Sequence, residues 1–444
     1  MIRTLTSSLC AVAACNALGA NATPLVAPPE PRAVQTVHRD GVPHTDRNGK
    51  RLLRFDPERS FFPIGTWGNS KPGEVQGQTY DWAELKRAGF NTVWPWPYDR
   101  EQQLRDAAAH GLQVILMNPP GEEALKKLKD HPNLLGVVWK DEPIIQPGTT
   151  EKTFQEFVAY RKMAGRVAPD LLVFVNETAW ITHANWLKWN TAGNIVCHDN
   201  YPNWPVTDSI NRGSFGTTKN GIPQSVSLSV AANPGKPAWL IVGAFEEMGS
   251  ARAQFPFRFP TPAQLRAEVY AGLVHGATGI CYFTWDSWIS RDGKVIGYSP
   301  NPRANIRAGG PPRVAKPMQL VNSRSLWDAI SRINAELHEL TPALYSPTVA
   351  ANELDYDVRY EGNALTEFPI RALLKSHPQG GYVLLTVNLD RAVLDGVFKL
   401  SNTLKRVATL FETGEPLSIK PGALEFSAEY EPFDTHVFRI ELDQ

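Results

Sequence analysis

A (β/α)8 barrel carrying a C-terminal all-β sandwich is the architecture this sequence predicts, and three observations predict it. Short, continuous apolar runs alternate with amphipathic helical segments from residue 61 to about residue 340. The runs lack the in–out alternation of half-exposed strands, so they read as strands buried on both faces, the condition of a parallel sheet covered by helices. From about residue 345 the texture changes to short alternating strands separated by turns, which is the pattern of a sandwich.

The elements follow in order. "MIRTLTSSLCAVAACNALGANATP" places one basic residue, Arg3, before a small-residue apolar stretch, and Ala20-Asn21-Ala22 offers an A-x-A cleavage site. That reads as a secretory signal over residues 1–22, too short and mild for a membrane span, and it predicts a periplasmic or extracellular protein. "VAAC" at 12–15 also looks like a lipobox, with Cys15 as the lipid-bearing residue of a lipoprotein. A Pro-rich linker fills 23–36, and a short hairpin leads into the barrel assigned to 37–342. Strand-then-helix units begin at "FFPIGTW", "FNTVWPW", "LQVILMN", "NLLGVVW", "LLVFVN", "NIVCHDNYP", "PAWLIVGAF" and "TGICYFTW". Such a series fits a closed barrel better than an open doubly wound sheet, and no GxGxxG follows the first strand. "SRSLWDAISRINAELHEL" joins the barrel to a sandwich at 343–444, whose strands include "YDVRYEG", "YVLLTVNLD", "DGVFKL", "KRVATLFE" and "THVFRIEL".

Composition narrows the function. The chain has 444 residues, enough for two or more domains. Lys plus Arg equals Asp plus Glu at 45 each, so no excess charge points to nucleic acid or an anionic membrane. Thirteen tryptophans supply flat faces on which sugar rings stack, although a tryptophan taken singly is more often core. Cys197 and Cys281 lie past the cleavage site, each in an apolar strand; a disulfide and two buried thiols both fit. Neither a His/Cys metal pattern nor a GxSxG elbow is present, so neither a metal nor a cofactor is expected.

Barrel enzymes carry their chemistry where the strands end, on the βα loops. The ends here hold Trp67, Trp96, Asn118, Asp141-Glu142, Asn176-Glu177, His198-Asp199-Asn200-Tyr201, Glu246-Glu247 and Trp285-Asp286-Ser287-Trp288. Carboxylates, amides and indoles on one rim suit a carbohydrate substrate. Cleaving a glycosidic bond needs one protonated and one ionised carboxyl group flanking the anomeric carbon. Trp67, Trp96, Trp180, Trp285 and Trp288 are expected to line sugar subsites, with Asp141, Asn176, His198, Tyr201 and Asp286 as further substrate contacts.

"DRNGKRLLRFDPERSFFPIGTW", "LKRAGFNTVWPW", "LLGVVWKDEP", "CHDNYP", "GKPAWLIVGAF" and "TPAQLRAEVYAGLVHGATGICYFTW" together resemble, in content and order, the clan A superfamily of glycoside hydrolases, most of all its uncharacterised bacterial branch with a D-E-P element after strand 4. The resemblance spans residues 40–340. It implies retaining hydrolysis of β-linked sugars, with an acid/base after strand 4 and a nucleophile at the end of strand 7. Glu142 matches the acid/base, whereas Asp141 stands where clan members commonly have Asn. An ionised Asp accepts hydrogen bonds but cannot donate them. Strand 7 departs further: "LIVGAF" follows Trp239, and only then come Glu246, the preferred nucleophile, and Glu247. Asp286, Asp199 and Glu177 are the substitutes if neither serves. Other readings stay open: a carbohydrate-binding barrel without a nucleophile, an inverting hydrolase, or a lyase with Tyr201 or His198 as base.

Overall fold

In a computed structural model the described residues are 62–443, less 76–77, 170, 180–182, 203–220, 234–235, 249–256, 290–293, 300–316, 347, 350, 365–368 and 413–415. The antiparallel pair His44–Thr45 and Arg51–Leu53 precedes them, where a hairpin is expected. The signal, lipobox and linker, Trp180, and the Trp288 side chain lie outside the described residues.

Eight parallel strands close into a barrel. They are β1 (Ile64–Asn69), β2 (Thr92–Pro95), β3 (Gln113–Leu116), β4 (Leu134–Asp141), β5 (Leu172–Thr178), β6 (Val196–Asn200), β7 (Ala238–Gly243) and β8 (Gly279–Phe283). Each is followed by its helix: α1 (Trp82–Arg87), α2 (Arg100–His110), α3 (Glu122–Leu128), α4 (Glu151–Val167), α5 (His183–Ala192), α6 (Ile222–Ala232), α7 (Pro262–Val274) and α8 (Pro317–Leu344). Local signals set the helix starts. Asp81 and Asp99 accept backbone N–H bonds as N-caps, and Thr261 with Gln264 forms a capping box ahead of Pro262.

Two apolar layers explain the unbroken hydrophobic strands. Outward side chains such as Val93, Val114, Val173, Leu240 and Ile280 pack under the helices. Inward ones fill the barrel with Trp67, Trp94, Ile115, Val138, Phe174, Trp239 and Ile241. Trp94 lies 4.7 Å from Trp67 and 5.5 Å from Phe174 between ring centroids. Such bulk needs small neighbours: a Cβ on Gly279 would come within 2.7 Å of the Trp239 ring. Cys197 and Cys281 also point inward, as free thiols. They stand on β6 and β8 with β7 between, about 10 Å apart by strand spacing, too far to bridge.

The C-terminal strands are β9 (Leu354–Tyr360), β10 (Ile370–Ser376), β11 (Tyr382–Asn388), β12 (Leu394–Leu400), β13 (Leu404–Leu410), β14 (Glu425–Tyr430) and β15 (Thr435–Leu442). They form two antiparallel sheets, β10-β11-β15-β13 and, with the short strand Asn363–Ala364 at its edge, β9-β12-β14. The first sheet is covered twice. Leu373, Val383, Leu385 and Val387 join the barrel's outer core, while Leu374 and Leu384 face the second sheet. Arg266 on α7 pins the junction: its Nε donates to Glu336 on α8 and its Nη1 to the Thr435 carbonyl. Among the described residues no helix is long and apolar enough to cross a membrane.

Candidate active site

Strand parity decides which carboxylates reach the barrel mouth, and β4 changes parity just before its end. Val138 pairs with Phe174 but Asp141 pairs with Asn176, so β4 spends three residues where β5 spends two. This bulge leaves Trp139 packing outward on Phe157 and Trp189 and turns Asp141 inward. Asn176 Nδ2 then donates to Asp141 Oδ1 at 3.0 Å and to Asp199 Oδ1, from β6, at 2.9 Å. Two oxygens bonded to one nitrogen at those lengths lie within about 6 Å of each other, less than the 6.5 Å or more that lets a water stand between catalytic carboxyls.

Glu142 follows with φ +40°, a left-handed backbone in which a non-glycine residue is strained by about 1–3 kcal/mol. Its N–H donates to the Asn176 carbonyl at 2.7 Å, and its carboxyl hydrogen-bonds that of Asp199. The opening of the Pro143–Ile145 turn therefore holds Glu142 at the mouth rather than on the outer surface. Burial raises the pKa of Asp141 and of Asp199, and for Asp199 the neighbouring Asp141 adds to the rise; Asn176 opposes it in both. The carboxyl of Asp141 is pushed up to about 6 and that of Asp199 to about 8, since buried carboxyls set close together disfavour one another's ionisation.

Tyr201, on the same face as Asp199, lies close enough for these charges to act on it. Burial first, then Asp199, Glu142 and Asp141, keep its hydroxyl protonated. Its ring stacks on Phe283 at 5.6 Å and meets Phe245 edge-on at 5.3 Å, with Phe257 beside them. That aromatic shelf is built of tyrosine and phenylalanine rather than of the tryptophans expected from the sequence. The signal was parity: Gly243, Phe245 and Phe283 continue the inward rows of β7 and β8.

On the opposite side of the mouth, over β1, β2 and β8, Asp286 Oδ2 accepts from Ser70 Oγ and from Trp96 Nε1, the latter at 3.2 Å. Among the described residues Asp286 Oδ1 has no partner. Burial pushes this carboxyl up to about 7, against the lowering effect of Ser70 and Trp96. Trp96 stays partly exposed and is the expected tryptophan best placed to meet a sugar.

Other expected contacts sit elsewhere. Trp67 and Trp285 are each 1 % exposed. Trp67 fills the barrel interior and Trp285 packs against Tyr80 in the outer layer, so neither offers a stacking face. His198 points outward and bonds Ser225 and Ser229 of α6; burial pushes it down to about 3, and it anchors a helix as a neutral ring. Glu177, paired in register with His198, shares that outward face. Its pKa is raised well above the usual range by burial and then by Asp199 and Asp141, against the lowering effect of the Ile144 backbone N–H. Barrel strand β7 ends at Gly243, and Glu246–Met248 is a separate strand paired antiparallel to Lys294–Ile296. Glu246 and Glu247 thus stand on an accessory sheet, outside the barrel ladder. At the inward end of β7 the space of a side chain is already taken: a Cβ on Gly243 would lie 2.9 Å from the Tyr201 ring. Among the described residues no cluster of His, Cys, Asp and Glu is arranged to hold a metal ion.

No protein-family model and no curated protein matches this sequence. Solved structures do. A family 5 glycoside hydrolase from Bacteroides vulgatus superposes with a TM-score of 0.53 at 14% identity, over 93% of this chain and 95% of that one. Another protein, described as a glycoside hydrolase, gives 0.52 at 13% identity, over 92% and 98%. The likeness is one of fold. It extends over more than nine-tenths of each chain, barrel and sandwich of this one included.

Proposed function

We propose that this protein is an exported glycoside hydrolase that cleaves β-glycosidic bonds of a poly- or oligosaccharide with retention of configuration. The observation that carries this reading is the carboxyl cluster at the C-terminal mouth of the barrel, with Asp141, Glu142 and Asp199 gathered on Asn176 beside an aromatic shelf. Glu142 is the general acid/base: it protonates the departing oxygen and later takes a proton from the attacking water. Retention is the mode that the resemblance to clan A implies, and the anomer formed first decides it. Asp141 meets sugar hydroxyls, Asn176 positions the two aspartates, Tyr201 and the phenylalanines take an apolar ring face, and Trp96 with Asp286 forms the opposite wall. Export rests on the N-terminal signal pattern.

The test is turnover by the wild-type chain on a panel of nitrophenyl α- and β-glycosides and on oligosaccharides, with the first-formed anomer read by proton NMR. Cleavage of a β-glycoside with retained configuration, lost in Glu142→Gln, is the expected result. An inverted product would sink the retaining mechanism. Binding without turnover would favour a carbohydrate-binding barrel, a reading to which Gly243 at the inward end of β7 lends weight.

A further inference from the structure

We infer that Asp199, on strand β6, is the second catalytic carboxylate of this site and attacks the anomeric carbon, in place of an acid from strand β7. The inference rests on the hydrolase reading above and deepens it.

Three observations carry it. First, strand β7 itself carries no carboxylate: its inward positions run Trp239, Ile241 and Gly243, the Tyr201 ring occupies the place a Gly243 side chain would take, and Glu246 and Glu247 follow on the accessory sheet. A nucleophile from that position would need Tyr201 to leave its stack on Phe283 and Phe245. Second, of the remaining acids only some face inward. Glu177 lies behind the sheet with His198, and Asp286 sits across the mouth, held by Ser70 and Trp96. Asp141 faces inward, but it adjoins Glu142 on one strand end and so approaches a substrate from the same side as the acid. Third, Asp199 comes from a different wall, two strands round the barrel, yet Asn176 ties it to Glu142, donating to the Asp199 carboxyl at 2.9 Å and accepting the Glu142 N–H at 2.7 Å, which sets the two carboxyls within hydrogen-bonding reach. A glycosidic bond entering between the two would be flanked by both.

Asn176 donates to Asp199 Oδ1, and with Glu142 it opposes the rise to about 8 that burial and then Asp141 impose on this carboxyl; the ionised form is the one that attacks. In the first step an Asp199 oxygen bonds to the anomeric carbon as the bond to the departing oxygen breaks, and that oxygen takes the Glu142 proton. In the second, water gives a proton to Glu142 and its oxygen bonds to the anomeric carbon, releasing the Asp199 carboxylate. Water is the only co-reactant. Asn176, which touches both aspartates, is a positioning residue.

The decisive experiment uses the full chain and the aryl glycoside that the wild type cleaves best. Asp199→Asn should lower kcat by at least about a thousandfold, with an unchanged circular dichroism spectrum to show that it folds. Asp199→Ala should regain turnover in sodium azide and yield a glycosyl azide of configuration opposite to the substrate. Glu142→Ala should give the azide of the same configuration. Loss of a merely structural residue produces neither adduct. Asp199→Asn retaining a tenth or more of wild-type kcat, or the inverted azide arising from Glu246→Ala or Glu247→Ala instead, would overturn the assignment while leaving the hydrolase reading intact. A wild-type chain that cleaves no glycoside would overturn both.

Discussion

Replacing Glu336 with alanine tests how firmly Arg266, which reaches from α7 to the sandwich, is held in place. Glu336, on α8, is the shared acceptor of two α7 donors. Arg266 Nε donates to both of its oxygens, at 3.2 and 3.0 Å, and Tyr270 Oη donates at 2.7 Å. The side chains of Arg266 and Glu336 are 21% and 12% exposed. Hydrogen bonds to a charged group each contribute about 1.5–3 kcal/mol, and orphaning a buried donor costs a similar amount. Arg266 keeps the Thr435 carbonyl and some access to water, which halves the loss. The net expectation is about 2–3 kcal/mol, well above the ~1 kcal/mol ceiling of an exposed ion pair. Equilibrium urea unfolding, followed by tryptophan fluorescence for the barrel and by far-UV circular dichroism for the whole chain, should show both signals moving together to a lower midpoint. Their coincidence follows from the apolar core that runs from α7 and α8 into β10 and β11. The double variant Arg266→Met/Glu336→Leu should recover only part of the loss, because it leaves no charge unpaired but orphans Tyr270 Oη and the Thr435 carbonyl. A single-variant loss below about 0.5 kcal/mol, or two separated transitions, would refute the reasoning.

Other outcomes follow from single sites. Gly243→Ala should cost about 1–3 kcal/mol by overpacking against Tyr201. It should also lower kcat roughly tenfold to a hundredfold by displacing that ring at the mouth; unaltered stability and rate would show that Tyr201 yields freely. Asp286 has a folded pKa of about 7, above its unfolded value. Between those two values the native state holds a proton that the unfolded chain has lost, so its contribution to stability falls as pH rises and the penalty is complete above about pH 7. Asp286→Asn should therefore gain thermal stability over wild type at pH 8 and almost none at pH 4; a gain independent of pH would contradict this. Lys375 in β10 carries the opposite sign. Burial pushes it down to about 7, with Nζ donating to Thr348 Oγ1, so its penalty is full below pH 7 and fades as pH rises towards its unfolded value. Lys375→Met should stabilise the chain at pH 6 much more than at pH 10, by scanning calorimetry, and equal gains at both would count against a buried titrating lysine.

The sequence alone determined the architecture, because burial on both faces of a parallel strand leaves an unbroken apolar run and a sandwich strand leaves an alternating one. It also determined that acids gather at strand ends, Asp141, Glu142 and Asp199 among them, since a strand end is where an apolar run meets its first polar residues. Tertiary structure decided which way each acid points. Asp141 turns inward only because β4 bulges against β5, a register shift written in the pairing of two strands rather than in either one. His198 and Asp199 are neighbours in the chain, yet one locks a helix and the other enters the cluster, because successive strand residues face opposite sides. Glu246 and Glu247 leave the barrel ladder because their backbone finds antiparallel partners in Lys294–Ile296, a segment far along the chain. The tryptophans divide for the same reason. Trp67 and Trp96 look alike in sequence, but one fills the barrel's interior and the other stands at its mouth, and only the closed geometry sets that depth.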